Sequence, residues 1–230
     1  MEYGSFLEFV KTRRSVRSLR PDSIQDDYVD KIIEAARWAP SGGNSQPWEF
    51  VVIKDQKTKD RIAEMVGEEG EYGRKVELTR EERLRFRYPA GPVREPAFRN
   101  APIFILVLGD PRTKETYPLS AMLTRGDSHF TSSLASAFLY MTLAVASLGL
   151  GCQWVSATGG PYVQPLLKEL LSIPDNMEIY DMLVVGYPGY EPKPRFVRER
   201  AQMIHRDRFD RARYRSDEEV RQYIASLRKG

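Results

Sequence analysis

The stretch DSHFTSSLASAFLYMTLAVASLGLG, residues 127–151, decides the fold. Asp127 to Leu148 reads as one long helix, with Leu134, Phe138, Met141, Val145 and Leu148 along one seam. No charged residue occurs from Ser132 to Gln164, and Leu134 to Leu150 is long enough to raise the question of a membrane span. Against that, Ser136, Thr142 and Ser147 interrupt the run, and Gly149 and Gly151 break its end. A helix apolar all round is what the centre of a large domain or a subunit interface requires. It is read here as a buried helix, with no membrane as partner.

Composition agrees with a packed core. A chain of 230 residues fits one large domain, 1–230, better than two small ones. Apolar residues make up 41%, which excludes wholesale disorder. The single cysteine, Cys152, excludes an intramolecular disulfide framework and suits a reducing cytosol. Met1 to Phe9 carries Glu2 and Glu8 and lacks the basic-then-apolar order of a signal peptide, so a cytoplasmic location is expected.

Around the long helix, strands alternate with helices. Phe6, Phe9 and Val10 share a helical face, and Val29, Ile32, Ile33 and Ala36 repeat at helical spacing up to Pro40. Ser23 and Asp26 have the spacing of a capping box. Ile62, Met65 and Val66 mark a helix expected to end near Gly67, and Pro161 to Leu171 one begun by proline. Trp48 to Ile53, Pro102 to Leu108, Cys152 to Val155 and Ile179 to Tyr187 read as strands. Residues 67–100, charged and proline-containing, read as a surface excursion, partly helical around Thr79 to Phe86. The expected class is α+β, an α/β sandwich with helices covering a sheet.

Several chemistries lack their residues. There are two histidines, His129 and His205, and no Cys or His cluster with metal-ligand spacing. Neither a nucleophile elbow nor a phosphate-loop pattern occurs. An enzyme built this way needs a cofactor to carry the hard chemistry.

Two segments offer binding groups. Arg13-Arg14-Ser15-Val16-Arg17 sets three guanidiniums and a hydroxyl within five residues, a donor set suited to phosphate and planar carbonyls. A solvated basic turn is the competing reading, as for the tail arginines Arg195, Arg198, Arg200, Arg206, Arg208, Arg211, Arg213 and Arg215. Pro40-Ser41-Gly42-Gly43-Asn44-Ser45-Gln46-Pro47-Trp48 gathers amides, hydroxyls and glycines that can read a ring edge, or else bond their own backbone. A basic nucleic-acid-binding protein would use the arginines, but a net charge of +3 is weak for one, and it leaves the Asn44/Gln46 loop unexplained.

Together the two segments resemble those of the nitroreductase family of FMN-dependent oxidoreductases, in that family's order and spacing. Gly149-Leu150-Gly151-Cys152-Gln153-Trp154-Val155 is similar to the segment ahead of the family's flavin-contacting turn, and Gly186-Tyr187-Pro188 with Pro194-Arg195 and Arg198 is similar to its C-terminal signature. Residues 67–100 are the main unmatched stretch and fall where the family varies, near the active-site pocket.

The resemblance implies a mixed, mainly antiparallel sheet and a homodimer built on the long central helix, with an FMN site across each interface. Arg13, with Arg195 or Arg198, would hold the FMN phosphate, and Arg14 and Ser15 the phosphate end or pyrimidine side of the ring. Arg17 would sit where negative charge builds on reduction. Pro40, Ser41, Gly42, Asn44 and Gln46 would come from the second subunit, and Val155-Ser156-Ala157 would bring a backbone N–H to flavin N5. Ser156 stands where many members have Glu. NAD(P)H would be the electron donor in a ping-pong reaction. A small conjugated acceptor such as a nitroaromatic or quinone would take the electrons, with no side chain needed as acid or base. A reductive dehalogenase, an ene-reductase or a flavin-fragmenting enzyme is the alternative within the family, to be decided by residues 67–100. Arg83, Arg85, Arg87 and Arg94 in that segment are read as surface charge.

Overall fold

A computed structural model describes residues 2–86, 88, 95–193 and 195–228. The sheet has four strands in the order β1-β2-β4-β3: Trp48–Ile53, Ile103–Gly109, Glu178–Gly186 and Gly151–Val155. All three pairings are antiparallel; the parallel element is a single bridge from Ser15 to Cys152. β2 is buried along its whole length, as a central strand covered on both faces must be.

The chain forms two compact units, residues 1–69 with 94–192, and residues 70–93 with 193–230. In the first, side chains of opposite parity on β2 and β4 enter two cores. Phe104, Leu106, Met182 and Val184 join Ile62, Met65, Phe98 and Leu167, on the side of α3 (Gln56–Glu77) and α5 (Val163–Leu171). Ile105, Val107, Leu183 and Val185 join Ile32, Phe130, Leu134, Phe138 and Met141, on the side of α2 (Asp26–Arg37) and α4 (Leu119–Ser147). The α1 helix (Tyr3–Thr12) has no buried residue. Helices on both faces of an antiparallel sheet make the α+β sandwich expected from sequence.

One irregularity bears on the site. The β2–β4 register slips so that Val107 faces Asp181 while Leu108 faces Ile179, leaving Tyr180 as the extra residue of a bulge. Below it Ile179 belongs to the α3 side; beyond it Leu183 and Val185 belong to the α4 side. The bulge turns Asp181 toward α4.

Several boundaries differ from the sequence reading. The α4 helix begins at Leu119, directly after Pro118, whose fixed φ suits a helix start. Its seam residues Leu134, Phe138, Met141 and Val145 are buried as expected, while Leu119, Leu123 and Leu139 on other faces are exposed. By length and composition alone it could also cross a membrane. The α3 helix does not stop at Gly67 but runs to Glu77. Each glycine costs about 1 kcal/mol against alanine, and the Glu- and Lys-containing last turns, with a Glu71–Lys75 pair at 3.8 Å, carry the helix through them. The Ser23 box is not formed: Asp26 already lies in the first turn of α2, where Lys54 takes its carboxylate. Within residues 67–100 the expected helix reduces to a 3-10 turn at Glu82–Leu84, and Phe98 is a core residue packed on Phe104. Arg87 and Arg94 lie outside the described residues.

The second unit contains α6 (Asp217–Leu227), opened by a Ser216–Glu219 capping box that the sequence reading missed. None of its described residues is buried. Its cross-links are exposed ion pairs, Arg83–Glu218 at 3.0 Å and Arg221–Glu81 at 3.7 Å, each worth under about 1 kcal/mol.

Lys59, 4% exposed, anchors the entry to β2 by donating to the carbonyls of Ala101 (2.8 Å) and Pro102 (3.2 Å). Burial lowers its pKa, against the pull of Asp60 and Asp55. Lys59→Met strands those carbonyls in the interior and is expected to destabilise the fold by about 2 kcal/mol, read as a lowered urea midpoint at unchanged slope. An unchanged midpoint would place the anchoring elsewhere.

Candidate functional site

After α1 the chain runs extended beside β3. The Val16 N–H donates to Cys152 O at 2.8 Å, and Arg20 N–H to Tyr187 O at 2.9 Å. Val16 and Leu19 are buried and pin the segment to the core. Strand alternation then leaves Ser15 and Arg17 exposed, with Arg13 half-buried. The Arg17 N–H donates to the Tyr190 hydroxyl at 3.3 Å. Arg14 turns back onto the carbonyls of Lys11 and Arg13, the latter at 2.9 Å. Neither Arg13 nor Arg17 is ion-paired with an acid among the described residues. Arg13 acts electrostatically on Cys152, whose thiol burial pushes up to about 11; this cysteine stays protonated and serves packing.

β3 leads into the predicted contact turn. Val155 is buried, Ala157 half-buried and Ser156 exposed, and the chain makes a 3-10 turn over Ser156–Gly159. The Thr158 hydroxyl donates to Val155 O at 3.0 Å. A Cβ on Gly159 would lie 2.6 Å from Tyr180 O, so only glycine lets the turn close against β4. Within β3 the Gln153 Oε1 is buried without a hydrogen-bond partner among the described residues.

The loop 40–47 is held from beneath by α4. Gly42 N–H donates to Ser133 Oγ at 3.1 Å, Gln46 N–H to Ser41 Oγ at 3.0 Å, and Ser45 Oγ lies 3.4 Å from the Tyr117 hydroxyl. A Cβ on Gly42 would meet the Tyr117 ring at 3.1 Å and His129 Cβ at 3.3 Å. Asn44 and Gln46 both adopt positive φ, +51° and +43°, and the latter is uncommon for a residue with a long side chain. Pro40, Asn44 and Gln46 are exposed, and Ser41 and Gly42 half-buried. No hydrogen bond or ion pair joins this loop to Arg13–Arg17 among the described residues. The structure thus brings Ser15 and Val16 to Cys152 of β3 and Arg17 to Tyr190, and holds the loop on Ser133 of α4. Arg195 and Arg198 belong to the second unit, where Arg195 is exposed and Arg198 lies 5.8 Å from the Tyr223 ring.

The sequence reading missed one cluster. Trp154, 41% exposed, stacks on Phe138 at 4.1 Å and 29°, and its indole N–H donates to the Asp181 carboxylate at 2.5 Å. Tyr180 closes the group, 6.1 Å from the Trp154 ring. The signal available was a lone acid inside an apolar strand, Ile179 to Gly186. Among the described residues no group of three or more His, Cys, Asp or Glu has a metal-binding arrangement.

A four-stranded antiparallel sheet with helices on both faces and these loops defines a nitroreductase fold. A solved FMN-dependent nitroreductase from Clostridium difficile R20291 superposes with a TM-score of 0.64 at 22% identity, covering 88% of this chain and 99% of that one. The model of the nitroreductase family matches residues 10–187, and the chain belongs to that family of oxidoreductases. An Archaeoglobus fulgidus protein named "Putative NADH dehydrogenase/NAD(P)H nitroreductase" is 28% identical over 88% of this chain and 98% of its own length. The iodotyrosine deiodinase of Danio rerio is 31% identical over 82% of this chain, which spans 61% of that relative.

Burial raises the Asp181 carboxyl from its ordinary 3.8 to about 6, and the Trp154 hydrogen bond opposes the rise. The folded protein therefore holds this proton more tightly than the unfolded chain. The resulting stabilisation is complete below pH 3.8 and is lost as pH rises through about 6. Asp181→Asn, which needs no proton, is expected to exceed the wild type in stability by about 2 kcal/mol in mild alkali. Denaturation across pH should show that gap closing in acid; a gap independent of pH would refute the assignment.

Proposed function

We propose that this chain is an FMN-dependent oxidoreductase that passes electrons from NAD(P)H to a small conjugated acceptor such as a nitroaromatic or quinone. In this reading it works in the cytoplasm as a homodimer with FMN sites at the interface, all of 1–230 serves one functional domain, and neither nucleic acid nor membrane is involved. One observation carries it: Arg13 and Arg17, without acidic partners among the described residues, stand on a segment that Ser15 and Val16 pin to Cys152 of β3. A phosphate dianion with a planar, carbonyl-bearing ring is what such a donor set fits.

When bound, FMN supplies the electron chemistry between nicotinamide and acceptor. Arg13 would bind its phosphate, and Arg14 and Ser15 the phosphate end or the pyrimidine side of the ring. Arg17 would set a fixed positive charge at the pyrimidine end, favouring the reduced state. The turn would present backbone N–H to the ring edge. The partner subunit's Pro40, Ser41, Gly42, Asn44 and Gln46 would close the other side. The positive-φ backbone and α4 contacts keep that loop in one shape before the ligand arrives. Residues 67–100 would border the acceptor.

The similarity to an iodotyrosine deiodinase favours a second reading, reductive removal of iodide from a halogenated aromatic at the same site.

Purified protein is expected to show flavin absorbance that bleaches on anaerobic addition of NADPH or NADH. No flavin, even after incubation with excess FMN, would sink the reading. Arg13→Ala should weaken FMN binding about tenfold, the loss of one charge-assisted contact of roughly 1.4 kcal/mol, measured by quenching of FMN fluorescence. With the reduced protein, consumption of a nitroaromatic or quinone without iodide release from iodotyrosine supports the first reading, and iodide release the second.

A further inference from the structure

β3 is an edge strand, and among the described residues its outer side is bridged only at Cys152, by Ser15. Its last residues, Gln153 to Val155, therefore lack a second strand to hold them, yet they lead straight into the turn at Ser156. Trp154 supplies the missing constraint. Its ring lies nearly parallel to Phe138 of α4, and its N–H ends on Asp181 of β4. A carboxylate acceptor makes this bond shorter and stronger than a neutral one. The Tyr180 bulge is what brings Asp181 to this face.

We propose that Asp181 is a positioning residue for the reaction: through the Trp154 indole it fixes the end of β3, and with it the Val155–Ser156–Ala157 turn that meets the cofactor. This rests on the FMN reading above. Asp181 touches neither cofactor nor substrate in it and acts only through Trp154. A buried carboxylate with no ion-paired cation among the described residues is a costly way to hold an indole, since an amide oxygen would accept the same hydrogen bond. The carboxylate adds strength, and with it sensitivity to protonation. Around it, β2 presents Val107, and β3 presents Trp154 with the Cys152 thiol two residues back. α4 presents Phe138 and carries no Asp, Glu, Lys, Arg or His over 131–147. Tyr180 on its own strand titrates high, raised by burial and by the Asp181 charge. Protonation of Asp181 is thus the acid-range event that loosens Trp154.

The test compares wild type, Asp181→Asn and Trp154→Phe, each FMN-loaded and checked for fold by circular dichroism. Asp181→Asn keeps an acceptor without charge; Trp154→Phe keeps a ring on Phe138 without the N–H. Tryptophan emission of the wild type should change across a transition at about pH 6, absent in both variants. In stopped-flow pH jumps, flavin bleaching by NAD(P)H should slow across the same transition in the wild type. It should be pH-independent and about tenfold slower in both variants, a factor that corresponds to 1.4 kcal/mol. Wild-type rates and acid limb in the variants would overturn the proposal even with the fluorescence transition present. Full rescue of the variants by saturating FMN would overturn it too. A wild type that bleaches while the variants behave identically sinks this inference alone; one that never bleaches sinks the functional reading and this inference with it.

Discussion

The antiparallel pairing of β2 with β4, dry on both faces, is the constraint on which the molecule depends. Every residue of β2 is buried, so each of its backbone groups must be satisfied by β1 or β4. Period-two alternation then sends side chains into two separate cores, and helices must cover both. Edge positions fall to β1 and β3, the strands with the least to bury, and the candidate site grows on the β3 edge. An N-terminal stretch can dock there because one side of β3 offers free backbone groups.

The candidate site is fixed by packing rather than by its own polar bonds. Val16 and Leu19 sink into the core, Ser15 and Arg17 flank Val16 on the exposed side, and Arg13 stays half-buried. Ser133 and Tyr117 hold the 40–47 loop from below, so its exposed amides sit on rigid backbone. Such preorganisation lowers the ordering cost of binding. The energetic counterweight lies in the second unit, where no described residue is buried and the internal ion pairs contribute little.

The Tyr180 bulge shows how one extra residue changes chemistry. In unbroken register the residue at position 181 would share the face of Ile179. The slip delivers a carboxylate to an aromatic cluster instead, where burial raises its affinity for a proton into the weakly acidic range. A group that disfavours folding at neutral pH sits one strand away from the turn proposed to meet the cofactor, which is where local conflict between stability and role is expected.

Periodicity and composition determined the elements that are strongly patterned. The long α4 seam, the four strands and the α+β class follow from apolar spacing alone, because burial imposes that spacing locally. The Arg13–Arg17 and 40–48 segments were also legible, since their residue types are unusual in so few positions. Tertiary structure decided the rest. Whether α3 passes its glycines depends on small terms that summed propensity does not resolve, and Asp26 cannot close a box with Ser23 because α2 starts at Asp26 itself. Phe98 looked like surface because its neighbours are charged, yet Phe104 offers it a core. Asp181 and Trp154 were invisible as a pair: they lie on different strands, and a register slip, which no local pattern encodes, brings them together.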